Sequence, residues 1–423
     1  MLDKERVGKI IAYYRKKKGL TQKELADMLH ISYQAVSKWE VGIGLPTVEM
    51  FCAISSILNV SLDVLLNENT LDDRQITFMD AGLDVDRLYQ LKEDVVKLAS
   101  KDERLLSANY ADAVLFQMNT SGMKDPVYVM LNCVPGSKEK IARERGYDKE
   151  ICADVATSGM HFILQHGAKP VILKAQIICG NANSEQIYHM AQAFREVCEE
   201  NGVMFAGMEI SMQPVNYRVD EYQVSAILVG VQDREKLITG EEIREGDVLI
   251  GIQTDGMDGT QFPILKVMVD RKPELVYGTL YGMVDDRYSI WDEVMKPRYA
   301  CVKEVEALQE AGCLHGIFRI KMSLLQPEMY SRIPEGLGAC IQLEKISVPP
   351  LHRFLQEQDL IGRNSFPYYF HFGIGMVLVV PEDKCEQALS ILRQSRNALC
   401  IGMIEKDEEH PGEKAWPEGK ILW

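Results

Sequence analysis

The chain has 423 residues, 46% of them hydrophobic and 26% charged, with a formal net charge of -15. That length predicts about two or three globular domains. The longest apolar run, GIGMVLVVP at 373–381, is too short to span a bilayer, and the ten scattered cysteines form no C-x-x-C pair and no Cys/His cluster at zinc spacing, so a membrane span, a disulfide framework and a structural metal are all disfavoured. The charge is uneven: residues 1–66 hold nine Lys/Arg against seven Asp/Glu, and the rest holds 38 against 55. An acidic body repels nucleic acid, whereas a slightly basic head does not.

Within residues 1–66 the patterns predict five helices. The first covers 3–18, with Val7, Ile10, Ile11 and Tyr14 on one face and Gly19 as its C-terminal stop. Thr21-Gln22-Lys23-Glu24 is a capping box that opens the second, over 21–29 with Leu25, Met28 and Leu29 inward. His30-Ile31-Ser32 is the turn, and Ser32 is expected to cap the third helix, 33–40. A fourth follows Pro46-Thr47 and a fifth begins at Ser61. In the third, Val36 points inward while Tyr33, Gln34, Ser37 and Lys38 point outward, and Trp39 is read as a packing residue.

The stretch TQKELADMLHISYQAVSKWEVGIGLPTVEMFCAISSILNVSLDVLL resembles the Cro/repressor-type (XRE-family) helix-turn-helix regulators. The resemblance implies that the N-terminal residues of the third helix enter the major groove of double-stranded DNA. Gln34 would then meet an adenine edge, Lys38 a guanine or phosphate, and Gln22 a phosphate, with Ser32, Tyr33 and Ser37 completing the contact set. The bland reading of the same residues is a helical bundle used for protein contact.

Residues 67–75, NENTLDDRQ, are polar and acidic and read as a short linker. Beyond them strand-like segments at 127–131, 170–179, 224–231 and 375–380 alternate with helical patterns at 184–201 and 298–311. This predicts an α+β body in two halves, 76–250 and 251–423, behind the all-α head. The segments FMDAGLDVD, HGAKP, EEIREGDVLIGIQTDGMDGT and HFGIGMVLVVP resemble aminoimidazole ribonucleotide (AIR) synthetase, also called phosphoribosylformylglycinamidine cyclo-ligase, over about residues 76–406. That resemblance implies its fold, a homodimer, and a site for ATP, magnesium and a purine-pathway phosphate.

The family's reactive positions are altered here. Its loop Asp-Gly-Val-Gly-Thr-Lys falls on Cys133-Val134-Pro135-Gly136-Ser137-Lys138, so a poor magnesium ligand replaces an aspartate. Its Asn-Asp falls on His161-Phe162, and its Gly-Gly-Glu-Thr on Gly207-Met208-Glu209-Ile210. A later aspartate falls on Gln223, and the glycine-rich segment near the family's N-terminus falls on 107–112, which has no glycine. Gly136, Ser137, Lys138 and Glu209 remain as candidate ligand-binding residues, together with Asp255 and Asp258 in the turn DGMDGT, which reads equally as a plain inter-domain turn. No residue is assigned a catalytic or metal-binding role.

The expectation is a cytoplasmic, sequence-specific transcriptional regulator whose dimeric body senses a small phosphate- or nucleotide-like effector. The alternatives are an ATP-dependent cyclo-ligase carrying a helix-turn-helix head, which would need magnesium, and a body that only dimerises. The polar start, MLDKERVGKI, carries no signal-peptide pattern.

Overall fold

The computed structural model describes residues 3–66, 78–108, 113–181, 183–277 and 289–423. The linker expected at 67–75 and the segment 109–112 therefore lie outside the described residues. The chain divides into two compact units, Met1–Thr77 and Phe78–Trp423. No helix among the described residues is long and apolar enough to cross a membrane.

The head contains α1 (Lys4–Lys17), α2 (Gln22–Met28), α3 (Tyr33–Glu40), α4 (Val48–Leu58) and α5 (Leu62–Leu66). Several helix ends in the head have a local cause. Asp3 accepts from the amides of Glu5 and Arg6 to start α1, and Gly19, at φ +73°, lets the chain turn after it. The Thr21–Glu24 capping box forms as expected, and Thr47 caps α4. Ser32 differs from expectation: it sits at the N-cap of α3 with extended backbone, but its side chain makes no capping hydrogen bond. Val7, Ile10, Ile11, Leu25, Ala26, Val36, Phe51, Ile54 and Leu65 form the core, with Trp39 buried against them. A Cβ at Gly8 would lie 2.1 Å from the Trp39 carbonyl oxygen, so the close approach of α1 and α3 requires glycine there.

The body runs α6 (Val85–Val96), β1 (Leu105–Ser107), β2 (Leu115–Phe116), β3 (Pro126–Cys133), α7 (Lys138–Arg145), α8 (Asp148–Leu164), β4 (Lys169–Cys179), α9 (Ser184–Glu200), β5 (Met204–Met212) and β6 (Tyr222–Asp233). It continues through β7 (Val248–Gln253), α10 (Phe262–Arg271), α11 (Ile290–Val294), α12 (Val302–Glu310), β8 (Gly316–Arg319), β9 (Leu337–Gln342), α13 (Pro350–Glu357), β10 (Ile374–Val380), α14 (Cys385–Leu392), β11 (Ala398–Lys406) and β12 (Ala415–Glu418).

These strands form two main sheets, one ordered β3-β6-β4-β5 and one ordered β12-β9-β11-β7-β10-β8. Because β7 pairs with β10 and β11, the cut expected between residues 250 and 251 falls inside a strand of the second sheet, and the change of sheet lies between Asp233 and Val248. The inner face of the first sheet packs on α8, where Gly159 admits Leu228: a Cβ there would lie 2.4 Å from the leucine Cδ1. β10, buried at every position, runs through the second sheet as IGMVLVV, a continuous apolar run because both faces are covered.

Candidate functional site

On the head, the outward face of α3 is in place. Tyr33 is 55% exposed, Ser32, Gln34 and Lys38 are exposed, and Ser37 is half-buried. Gln22 is placed otherwise than expected: its side-chain amide donates to Glu40 Oε2 at 2.9 Å. Glu40 is in turn gripped by Arg15 through Nε at 2.5 Å and Nη2 at 2.9 Å, while Arg15 Nη1 donates to the Leu20 carbonyl at 2.6 Å. The amide that was expected to meet a phosphate instead ties the start of α2 to the end of α3.

In the body, a cavity of about 360 Å³ opens between the segment 132–137, α8 and the turn 258–260. Gly136 has φ +64° and open space where a Cβ would stand, so the turn rather than crowding selects glycine. Ser137, the N-cap of α7, makes no side-chain cap hydrogen bond. Both residues line the cavity, as does Asp258. The cavity persists beside Phe162, which also lines it, whereas Met208 is buried in the main core.

The other expected ligand residues lie elsewhere. Lys138 is fully buried, its Nζ 3.2 Å from Asp154 Oδ2; the helix turns this side chain inward, so it offers no free ammonium to an anion. Glu209 pairs with Lys92 at 2.8 Å, and Asp255, exposed, accepts from the Tyr299 hydroxyl at 2.9 Å. Neither lines the cavity.

Residues that sequence patterns did not mark dominate the site. Arg298 lies between two buried carboxylates, donating from Nε to Asp154 Oδ1 at 2.9 Å and from Nη1 to Asp258 Oδ2. Arg319 Nη2 donates to Asp258 Oδ2 at 2.7 Å and to Ser158 Oγ at 2.8 Å. Asp258 Oδ1 also accepts from the amide and hydroxyl of Thr260 at 2.9 and 2.8 Å. Burial alone would raise both carboxyls, but Arg298 with Arg319 at Asp258, and Arg298 with Lys138 at Asp154, outweigh it and hold both below the ordinary carboxylate range. Burial pushes the Cys133 thiol up, which keeps it protonated at neutral pH.

His161 is buried, its Nε2 at 2.5 Å from the Tyr299 carbonyl, and burial beside Arg298 lowers it to about 3. It is therefore a neutral donor to that carbonyl, which is a structural role. Arg298 was expected within a helix over 298–311, but the helix starts only at Val302, after Cys301 in the left-handed region at φ 59°. Arg298 thus stands in the segment ahead of the helix, where it lines the cavity. Among the described residues, no group of three His, Cys, Asp or Glu side chains converges on a metal position.

Comparison with known proteins agrees with this division. Residues 11–65 match the helix-turn-helix family model. The body is similar to the phosphoribosylformylglycinamidine cyclo-ligase of Oceanobacillus iheyensis, with 27% identity over 335 residues covering 78% of this chain and 97% of the relative. The enzyme of the same name from Caldicellulosiruptor bescii is 28% identical over 341 residues, 79% and 98% of the two chains. In fold it is similar to thiamine-monophosphate kinase from Stenotrophomonas maltophilia, with a TM-score of 0.57 and 14% identity over 80% of this chain and 98% of that one. It is also similar to the hydrogenase maturation protein HypE in complex with ATP, with a TM-score of 0.54 and 16% identity over 78% and 91%. The chain thus joins a helix-turn-helix domain of the Cro/repressor type to a body that matches AIR synthetase-like proteins in sequence and fold.

Proposed function

We propose that the protein is a sequence-specific transcriptional regulator whose body dimerises and senses a small phosphate- or nucleotide-like anion. The observation that carries this reading is the combination, in one chain, of an outward Tyr33-Gln34-Lys38 face on a helix-turn-helix head with a cavity lined by three cations and two carboxylates. A net positive cavity attracts an anion. Coupling requires that the ligand favour the DNA-competent state by about 1–3 kcal/mol.

Footprinting of the full chain on DNA upstream of its own reading frame tests the head. We expect protection of a site with two half-sites about one helical turn apart. We also expect Gln34→Ala to weaken specific binding by about 1–3 kcal/mol, roughly 5- to 150-fold, while non-specific binding hardly changes. Equal binding to all sequences at every salt concentration would end the reading.

Dimerisation is supported by an apolar strip on the outer face of the first sheet. Tyr128 and Met130 on β3 are 54% and 73% exposed, and Ile227 on β6 is 47% exposed. Their register partners across the strand pair place them on one face, next to residues that the β1–β2 hairpin covers. A second copy of the chain is the occupant this strip suits, because a two-fold axis sets the same apolar strip against itself. Met130→Asp is expected to raise the dimer dissociation constant at least about tenfold, since burying an unpaired carboxylate is costly. Light scattering over a concentration series reads this, and an unchanged mass would count against the surface.

The similarity to cyclo-ligases favours a second reading, an ATP-dependent ring closure with the head controlling it. It predicts phosphate release from ATP with formylglycinamidine ribonucleotide and magnesium. We expect none above background, because the carboxylates that line the cavity are already committed to Arg298 and Arg319.

A further inference from the structure

We propose that the cavity beside Phe162 binds a phosphate-bearing small molecule without a divalent metal, with Arg298 bridging the two wall carboxylates and Arg319 and Lys321 supplying the positive charge that meets the ligand. This rests on the sensing reading above and specifies its chemistry. Magnesium, which the cyclo-ligase resemblance implies, is held in proteins by hard oxygen ligands, chiefly carboxylates, and by substrate phosphates. The lining offers two carboxylates, Asp154 and Asp258, and every oxygen of both already accepts a hydrogen bond. Asp154 is filled by Arg298 and Lys138. Asp258 is filled by Thr260 on one oxygen and by Arg298 and Arg319 on the other. To bridge these carboxylates, a divalent ion would have to displace a guanidinium that is 5% exposed. The family's metal does not fit this wall.

The cations facing the cavity have the opposite property. Arg319 is 5% exposed, yet its Nε has no hydrogen-bond partner among the described residues. Lys321, half-buried, makes no ion pair among the described residues. Both lie over the same Phe162 ring, 4.4 and 4.8 Å from its centroid. An aromatic ring where the family carries an aspartate therefore holds two like charges together by cation–π attraction. Two cations held close and incompletely neutralised are stabilised by an oxyanion placed between them and the Ser137 hydroxyl, which also lines the cavity. Burial and the neighbouring Arg319 lower the Lys321 ammonium, in keeping with a cation that lacks a counterion.

Calorimetric titration of the full chain with inorganic phosphate and, separately, AMP, each in EDTA and again in excess magnesium, tests the proposal. We expect affinities within about twofold in the two buffers, because no step of recognition passes through a metal. We expect Lys321→Gln to weaken binding by about tenfold or more with an unchanged melting temperature. Equal affinity for the two probes would identify the bare oxyanion as the ligand, whereas tighter AMP binding would identify a nucleotide. Binding that appears only with magnesium, or that survives Lys321→Gln unchanged, would overturn the metal-free site and leave sensing intact. No binding of either probe in either buffer would overturn both.

Discussion

Replacing Arg298 by methionine is expected to remove about 3–5 kcal/mol of stability from the body at pH 7. The substitution roughly conserves volume, so the loss is electrostatic rather than a matter of packing. It leaves Asp154 and Asp258, 2% and 3% exposed, without the guanidinium that lies between them, and Lys138 and Arg319 can each serve only one of the two. Urea unfolding of the full chain measures the effect. The pH dependence separates this cause from a packing defect. In the native protein both carboxyls are held below their ordinary value of 3.8. Their contribution is therefore fully present above that pH and is lost as the pH falls through the folded values. In the variant, burial is opposed by fewer cations, so the same carboxylates oppose folding at pH 7 and cease to do so when protonated. The gap between native protein and variant should shrink on going from pH 7 to pH 4. A gap that stays constant would assign the loss to packing. Adding Asp154→Asn and Asp258→Asn to the variant should not restore its stability, because it strands the buried Lys138 and Arg319 cations that those carboxylates neutralise.

The same cluster shows where sequence reasoning succeeds and where it stops. Helix limits in the head were legible because they are set locally: Thr21 with Glu24, Gly19 and Thr47 act within one turn of themselves. Strands such as β10 were legible as apolar runs, and the overall alternation of the body followed from periodicity. What was not legible is contact at long range. Arg298 reaches Asp154 across 144 positions and Arg319 reaches Ser158 across 161, and no spacing rule joins them. Lys138 was misplaced for the same reason. Its position after Gly136-Ser137 suggests a phosphate grip, but the first turn of α7 aims it at Asp154, sixteen residues on, inside the core. Phe162 reads in sequence as the loss of a ligand, yet in the fold it is the platform beneath Arg319 and Lys321. The replaced residues do not simply delete a site. Two of the family's aspartate positions fall here on Cys133 and Phe162, which line the cavity together with Arg298, Arg319 and Lys321, and the proposed anion site rests on that juxtaposition.

In the head, Arg15→Met is expected to cost about 3 kcal/mol, a large share of what a domain of this size has to lose. Arg15 and Glu40 are 8% and 7% exposed at their side chains and meet through two hydrogen bonds. Removing the guanidinium strands the Glu40 carboxylate in the core and frees the Leu20 carbonyl that Arg15 Nη1 satisfies. The damage lands on DNA reading because Glu40 ends α3 and also accepts from Gln22 at the start of α2, so one carboxylate fixes the angle between the two helices of the motif. Hydrogen exchange on the full chain should show faster exchange of the α1, α2 and α3 amides, with protection of β10 unchanged. Glu40→Gln offers the contrasting case. The amide keeps an acceptor for Arg15 and leaves no stranded carboxylate, so most of the stability should remain. Acid should reproduce the glutamine variant, because protonation likewise leaves a neutral acceptor for Arg15 and no stranded carboxylate. Burial raises the Glu40 carboxyl, but the bonds from Arg15 and Gln22 outweigh this and hold it below its ordinary 4.5. Its contribution is present above that pH and fades below it. If Arg15→Met left head protection intact while abolishing specific DNA binding, the pair would be acting on the DNA itself rather than through the angle between α2 and α3.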